Sequence, residues 1–500
     1  MRTNVGTRNR LTPLRQPRYV RRIFRCPADM GQGNVASMRL CSFLAALIVF
    51  VRLSPAHADE ISLPITTSTL QNGMTVILHE DHSLPIVVLN TTYKVGSRVE
   101  QTRRTGFAHL FEHLMFMGTR RVPTKMFDSW MEASGGWNNA DTSEDRTEYY
   151  DVGPPTLLPL LVWLEADRLR DLGPLMNQEK LDAQRAVVRN ERRQTAENQP
   201  YGGVRLRLPE LLYPDAHPYH HPVIGSHEDL EAASVDDVKA FFSAWYDPAN
   251  ASVVVAGDFE PKETLALITR ELGSIPSRGV PKDPGANSFE QTTLDHPTTL
   301  TRTVRETIED QVELPLVVMA WQSPKHFSEG DAELDLLSSV LAAGKASRLY
   351  RSLVYDRKLA QTVDATQESG TLGSRFVIQV IARPGVSLDK LEGAMDSELT
   401  KLRTAKVSDE ELARAKNGTE TAFIARLQGV RARASLLNSY QVEVGDPNYA
   451  QRDLDRYSRV TSAALQTVAG KVLDLNARVV LRVVPKGTMQ GAAQPATGER

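Results

Sequence analysis

Cysteine is nearly absent from this chain: its 500 residues hold two, Cys26 and Cys41. Both fall in an N-terminal stretch that reads as removable, so the mature chain is expected to have no disulfide and no thiolate ligand. Any metal would have to be held by imidazole and carboxylate groups. Lysine is missing from residues 1–58, which carry ten Arg against a single acid, Asp29. The remainder holds 49 basic and 60 acidic residues, and that acidic balance argues against nucleic acid as the main partner. Long hydrophobic runs are lacking too. The apolar stretch from Leu40 to Val51 is about a dozen residues where a span needs about 20, so no membrane span is expected in the mature chain.

That short run lies between Met38-Arg39 and Ala56-His57-Ala58. Charged, apolar and small-residue segments in this order form a secretory signal, with cleavage expected after Ala58 and a periplasmic or secreted product. An Arg-rich organellar transit peptide is a rival reading. A twin-arginine signal at Arg21-Arg22 is weaker, because polar sequence follows it. The 37 residues ahead of Met38 are unusual for a signal and leave Met38 open as the start.

With 41% apolar and 24% charged residues over 500, the chain has an ordinary globular composition and is too long for one core, so at least two domains are expected. Asn72-Gly73 between alternating apolar residues predicts a hairpin. Pro85 to Val95 predicts a buried strand, Gly106 to Met117 a helix, and Thr147 to Val152 another strand. Helices are predicted at Thr156 to Leu172 and Gln178 to Glu197, then a strand at Ala251 to Ala256 and a helix at Lys262 to Leu272. Pro276 to Thr299 lacks periodicity and reads as a linker. Beyond it the order restarts: a strand at Leu314 to Trp321, a helix at Asp331 to Ala343, a strand at Arg375 to Ala382, helices at Leu388 to Leu402 and Asp409 to Leu427, and a strand at Val479 to Val484. This order predicts an α+β fold built as a duplicated unit.

The stretch that carries chemistry is His109-Leu110-Phe111-Glu112-His113. On a helix, residues four apart lie one above the other, so the two imidazoles can reach one ion while Glu112 stands beside that face. A carboxylate there can take a proton from water that zinc has made acidic. The pattern H-x-x-E-H is a metallopeptidase signature. It also interrupts a helix rich in Leu, Phe and Met, where burying two His and a Glu without a partner would cost several kcal/mol.

These residues resemble the pitrilysin-type (M16) zinc peptidases. The likeness extends to Val187-Val188-Arg189-Asn190-Glu191-Arg192-Arg193, to Gly135-Gly136-Trp137-Asn138-Asn139-Ala140-Asp141-Thr142, to Asn198-Gln199-Pro200-Tyr201-Gly202 and to His217-Pro218-Tyr219 before Val223-Ile224-Gly225. The resemblance implies two tandem homologous domains, each a mainly antiparallel sheet packed with helices. It implies one Zn2+ per chain with Glu191, 78 residues after His113, as third ligand, and Glu112 as the residue that activates water. It also implies an endopeptidase acting on peptides or unfolded segments, with Asn139 and the Ala140 backbone bordering the cleft on a strand edge that receives the substrate. The expected domains are a leader and signal at 1–58, a zinc-binding catalytic domain at 59–280, a linker at 281–299, a non-catalytic domain at 300–485 and a disordered tail at 486–500.

Two positions depart from the family pattern. A supporting Glu seven residues before the ligand Glu is here Gln184, which can hydrogen-bond around the metal but adds no charge. The Arg and Tyr that reach the substrate from the later half of active relatives fall here on Val354 and Gln361, after Ser347-Arg348-Leu349. A related subunit is therefore expected to supply that pair in a heterodimer. The alternative is a non-catalytic assembly subunit of the same fold. The cluster His217, His220, His221 and His227 is read as structural and not as a second metal site.

Overall fold

At Asn72-Gly73 the chain reverses as expected: Gly73 takes a φ of 88°, and β1 (Thr66–Thr69) pairs antiparallel with β2 (Thr75–Glu80). The structure is a computed structural model that describes residues 61–281 and 292–488. The expected leader and signal, residues 282–291 of the expected linker and residues 489–500 of the expected tail lie outside the described residues.

The β-branched run forms β3 (Val87–Tyr93), buried along its whole length. It is followed by α1 (Phe107–Leu114), α2 (Met126–Ala133), β4 (Trp137–Thr142) and β5 (Thr147–Gly153). Next come α3 (Leu158–Asp171), α4 (Gln178–Arg192), α5 (Gly203–Leu212), α6 (His227–Ala232), α7 (Val235–Trp245), β6 (Ala251–Gly257) and α8 (Pro261–Glu271). The later half comprises β7 (Val304–Asp310), β8 (Leu316–Ser323), α9 (Asp331–Ala342), β9 (Ala360–Glu368), β10 (Ser374–Ala382), α10 (Leu388–Thr404), α11 (Asp409–Leu427), α12 (Val430–Val444), α13 (Ala450–Arg459), α14 (Ser462–Val472) and β11 (Val479–Pro485). No helix among the described residues is long and apolar enough to cross a membrane.

The two sheets run β1-β2-β6-β3-β5-β4 and β7-β11-β8-β10-β9. With β1 set aside the orders coincide strand for strand. In each, the first pair (β2–β6, β7–β11) is parallel and the remaining pairs are antiparallel. The duplication extends to the helix after the central strand. Gly106 (φ 85°) and Gly330 (φ 96°) both take the left-handed conformation just before α1 and α9, a backbone state that glycine enters without a Cβ penalty. Aligning the two glycines puts Glu333, Leu336 and Leu337 where the first half has His109, Glu112 and His113.

Each half lends a helix to the other's sheet. Val430, Ala434 and Leu437 of α12 pack on Ile77, Val88 and Val254 of the first sheet. Val204, Leu208 and Leu212 of α5 pack on Val318 and Leu481 of the second. Each buried Val or Leu contributes about 1.5–3 kcal/mol, so each half covers the sheet face of the other that lies opposite that half's main core. A polar seam runs through the first of these contacts. The Asn438 side-chain amide, fully buried on α12, donates to Asn90 Oδ1 (2.6 Å), Asn90 O (3.1 Å) and Ser252 O (3.2 Å) and accepts from the Ser252 hydroxyl.

Two predicted helices end differently from their apolar pattern. The pattern predicts α1 through Met117, but it stops at Leu114, and Phe116 and Met117 continue with i→i−3 bonds to His113 and Leu114. The stretch predicted as one helix to Glu197 is α-helical to Arg192 and π-helical over Arg193–Glu197. There Thr195 Oγ1 bonds Glu191 O at 2.9 Å and Asn198 N bonds Arg193 O at 2.7 Å. Single π turns of this kind commonly mark functional positions.

Candidate metal centre

Helix α1 is held at its start by groups that the sequence pattern does not reveal. The Glu100 side chain is fully buried and accepts from Gly106 N (2.8 Å) and Ala108 N (2.7 Å), covering orphan donors of the first turn. The segment Val223-Ile224-Gly225 lies against this terminus so closely that a Cβ on Gly106 would stand 2.8 Å from Ile224 O. Phe107, Ala108, Leu110, Phe111 and Leu114 bury the opposite face of α1. His109, Glu112 and His113 are thereby left toward the cleft.

Helix α4, capped by Asn177, which accepts from Lys180 N, brings Glu191 to the two imidazoles. Its Oε2 lies 3.1 Å from His113 Nε2 and its Oε1 3.6 Å from His109 Nε2; the imidazole rings are 4.9 Å apart at 81°. Tetrahedral donors at about 2 Å from a common ion stand about 3.3 Å from each other, which the two measured separations bracket. One donor atom from each of the three residues falls within 4.8 Å of the others, and no other such cluster occurs among the described residues. Burial, then the neighbouring His113, lowers the His109 pKa to about 4 against the pull of Glu191. The hydrogen bond from His113 holds the Glu191 carboxyl below its ordinary range despite partial burial. A neutral imidazole and an ionised carboxylate are the forms that ligate a divalent ion. The donor set of two nitrogens and one oxygen, with no sulfur, fits zinc in an open site.

Glu112 is half-buried beside this cluster. Burial raises its pKa to about 7, while the Thr142 hydroxyl and His113 act against the rise. Thr142 Oγ1 donates to Glu112 Oε2 at 2.5 Å. Thr142 ends β4, which pairs with β5 on one side, Thr142↔Thr147 to Trp137↔Val152, and is the last strand of its sheet. Asn139 is exposed on this edge, and its Oδ1 accepts from Ala140 N at 2.9 Å. The side chain of Asn139 thus satisfies a main-chain donor of the edge strand. Glu112, His113, Phe116, Met117, Asn139 and Val187 border a cleft of about 750 Å³. Gln184 lines the same cleft, but its amide nitrogen reaches Met117 Sδ at 2.7 Å, so the bond seen here supports the floor of the cleft and not an imidazole.

The histidines near residue 220 do not converge. His217 stacks on Tyr213 and accepts from Tyr219 N, His220 Nδ1 meets Tyr213 O, and His227 Nε2 meets Glu197. His221 Nδ1 lies 3.6 Å from Glu100 Oε2, beneath the start of α1. In the later half, Val354 is buried in the π-helical turn Tyr350–Asp356, and Gln361 is exposed near the start of the edge strand β9. Glu100 and Thr142 are the neighbours of this site that sequence reasoning did not single out. Thr142 was visible as the last residue of the Gly-Gly-x-x-Asn-Ala-x-Thr match, whereas nothing local distinguishes Glu100 from other acids.

A duplicated sheet-and-helix unit carrying two histidines and a distant carboxylate at one point defines the two-domain architecture of M16 peptidases. Two family descriptions match the chain: "Insulinase (Peptidase family M16)" over residues 75–218 and "Peptidase M16 inactive domain" over residues 232–419. The chain belongs to the M16 peptidase family. It is 28% identical to zinc protease PqqE of Helicobacter pylori, over 83% of this chain and 93% of that one. An uncharacterized zinc protease of Streptomyces coelicolor is 25% identical over 82% of this chain and 87% of its own. The crystal structure of a protease from Helicobacter pylori superimposes with a TM-score of 0.78 at 26% identity, covering 85% of this chain and all of that one.

Proposed function

We propose that this chain is a zinc-dependent endopeptidase that hydrolyses peptides or unfolded segments, with one zinc held by His109, His113 and Glu191. The observation that carries the reading is the convergence of these three donors beside Glu112 at the mouth of a cleft. The relatives' names, zinc protease in both sequences, support it. Zinc, when bound, supplies Lewis acidity that polarises the scissile carbonyl and lowers the pKa of water. Glu112 takes a proton from the attacking water on a carboxylate oxygen and hands it to the leaving amine. The peptide adds to the β4 edge as a further strand, its carbonyl replacing Asn139 Oδ1 at the Ala140 N–H.

The later half contributes fold and no chemistry. Leu336 and Leu337 occupy the places of Glu112 and His113, and Val354 and Gln361 those of the missing Arg and Tyr. A related subunit that carries an Arg and a Tyr is the partner this leaves room for, in a heterodimer. The leader composition supports export to the periplasm or beyond.

Two substitutions test the reading. Glu191→Ala should abolish both stoichiometric zinc and peptide hydrolysis. Glu112→Gln should retain zinc and lose roughly 100-fold or more in rate. A chain that binds no zinc at all would favour the assembly-subunit reading, and an active Glu112→Gln variant would overturn the role of the carboxylate.

A further inference from the structure

We infer that Thr142 is a positioning residue for Glu112, tying the carboxylate that activates water to the strand that receives the substrate. The inference rests on the reading of Glu112 given above and adds a residue to it. The direction of the bond follows from its neighbours. Thr147 Oγ1 donates to Val95 O at 2.8 Å, so its proton is committed elsewhere. The single Thr142 proton then has Thr147 Oγ1 at 3.4 Å and Glu112 Oε2 at 2.5 Å to choose between, and the shorter contact, to the carboxyl oxygen, is the bond it makes. One Glu112 oxygen is held, and Oε1 is the oxygen this bond leaves to take up a proton.

Thr142 can serve as an anchor because the turn that follows it is tied down on several sides. The turn that follows is bonded to the loop before α1, Ser97 N to Ser143 O (3.2 Å) and Arg98 N to Glu144 O (3.0 Å). It is also bonded to the later half and to the loop after α5. Asp145 accepts from Thr371 N (3.0 Å), Thr371 Oγ1 (2.6 Å) and Tyr219 OH (2.6 Å). At the other end of the strand Trp137 is 48% exposed. A peptide laid along β4 therefore meets a strand whose far end fixes the orientation of Glu112, so seating the substrate and aligning the carboxylate share one element.

The test has two arms. In the metal-free protein, urea midpoints are measured for Thr142→Val, Glu112→Ala and the double variant. The midpoint shift caused by Thr142→Val should vanish when Glu112 is already Ala, and a shift of the same size in both backgrounds overturns the proposal. In the zinc-loaded protein, Thr142→Val should lower kcat by roughly 10- to 100-fold, about the loss that misplacing a reacting group brings, with KM and zinc stoichiometry unchanged. Thr142→Ser, which restores the hydroxyl, should recover most of the rate. A Thr142→Val variant with the parent kcat, or a Thr142→Ser variant no faster than it, overturns the proposal. Should Thr142→Val fail to fold, Thr142→Ala enters both comparisons in its place. Should Glu112→Gln prove active, the catalytic reading falls, and the metal-free arm still decides whether Thr142 holds Glu112.

Discussion

Replacing Asn438 by Ala probes the contact through which the later half closes the first sheet. The side chain is fully buried and makes four hydrogen bonds, three donated to Asn90 Oδ1, Asn90 O and Ser252 O and one accepted from the Ser252 hydroxyl. The two main-chain oxygens keep their places in the β3–β6 ladder and lose only a second partner. Asn90 Oδ1 keeps a long bond from Thr92 Oγ1 at 3.3 Å. The Ser252 hydroxyl loses the acceptor that this contact gives it. Leaving a buried polar group unpaired costs about 1–3 kcal/mol, and two such groups are disturbed, one fully and one partly. The expected loss is therefore about 2–4 kcal/mol. Asn438→Asp keeps the acceptor, removes all three donated bonds and buries a charge, so it should cost more. Urea unfolding followed by circular dichroism measures both. A loss below about 1 kcal/mol for Asn438→Ala, or an Asp variant more stable than the Ala variant, would refute the account of the seam.

Gly106→Ala forces a left-handed residue and a contact with Ile224 O into the start of α1. It should destabilise the fold by about 2 kcal/mol or more and weaken zinc retention against a chelator, and unchanged retention would show that α1 does not need this entry geometry. Ala140→Pro removes the one edge-strand N–H that Asn139 covers; peptide hydrolysis should fall at least about tenfold with zinc content intact, and a full rate would refute strand addition at β4. His217 is the pH-sensitive group chosen away from the metal. Burial, then His220, depresses its pKa to about 4, below the ordinary value of about 6.5, so the unfolded state binds more protons between those values. Its contribution to stability is complete above about pH 6.5 and declines as pH falls toward 4, by up to about 3 kcal/mol. His217→Phe should flatten that part of the stability profile, and a slope equal to the parent's would remove His217 as its source.

The hairpin β1–β2, the buried strands β3, β5, β6, β8, β10 and β11 and the zinc-motif helix were legible because their signals are local, whereas strands β7 and β9, less buried along their length, were not read. Asn72-Gly73 fixes a hairpin, and the β-branched run at 87–93 can be buried only as a central strand. The distance from His113 to Glu191 could be read only by resemblance, since no local rule says which acid on a charged helix turns inward. Helices α12 to α14, within residues 430–472, went unread. Helix α12 packs on a sheet over 170 residues earlier in the chain, its burial set by Val88 and Val254 and not by its own weak periodicity. Glu100 was equally invisible, because a carboxylate that caps a helix start from six residues upstream leaves no motif.

Duplication also explains why, among the described residues, only the first half holds a cluster of three metal-binding donors. Helices α1 and α9 begin alike, each after a left-handed glycine, yet they meet different surroundings. Helix α9 is packed by α11, α13, α14 and β9, and the two positions equivalent to Glu112 and His113 are Leu336 and Leu337, both fully buried. Helix α1 is covered on its apolar face but leaves its other face to α4 and the cleft, where His113 and Glu112 keep some exposure. A carboxylate or imidazole placed at 336 or 337 would lie inside a hydrophobic core without an ion or a hydrogen-bond partner, at a cost of several kcal/mol. Restoring the motif to α9 by substitution alone should therefore unfold the later half and not create a second site. The asymmetry is set by what packs against the helix, and the identity of its residues follows from that.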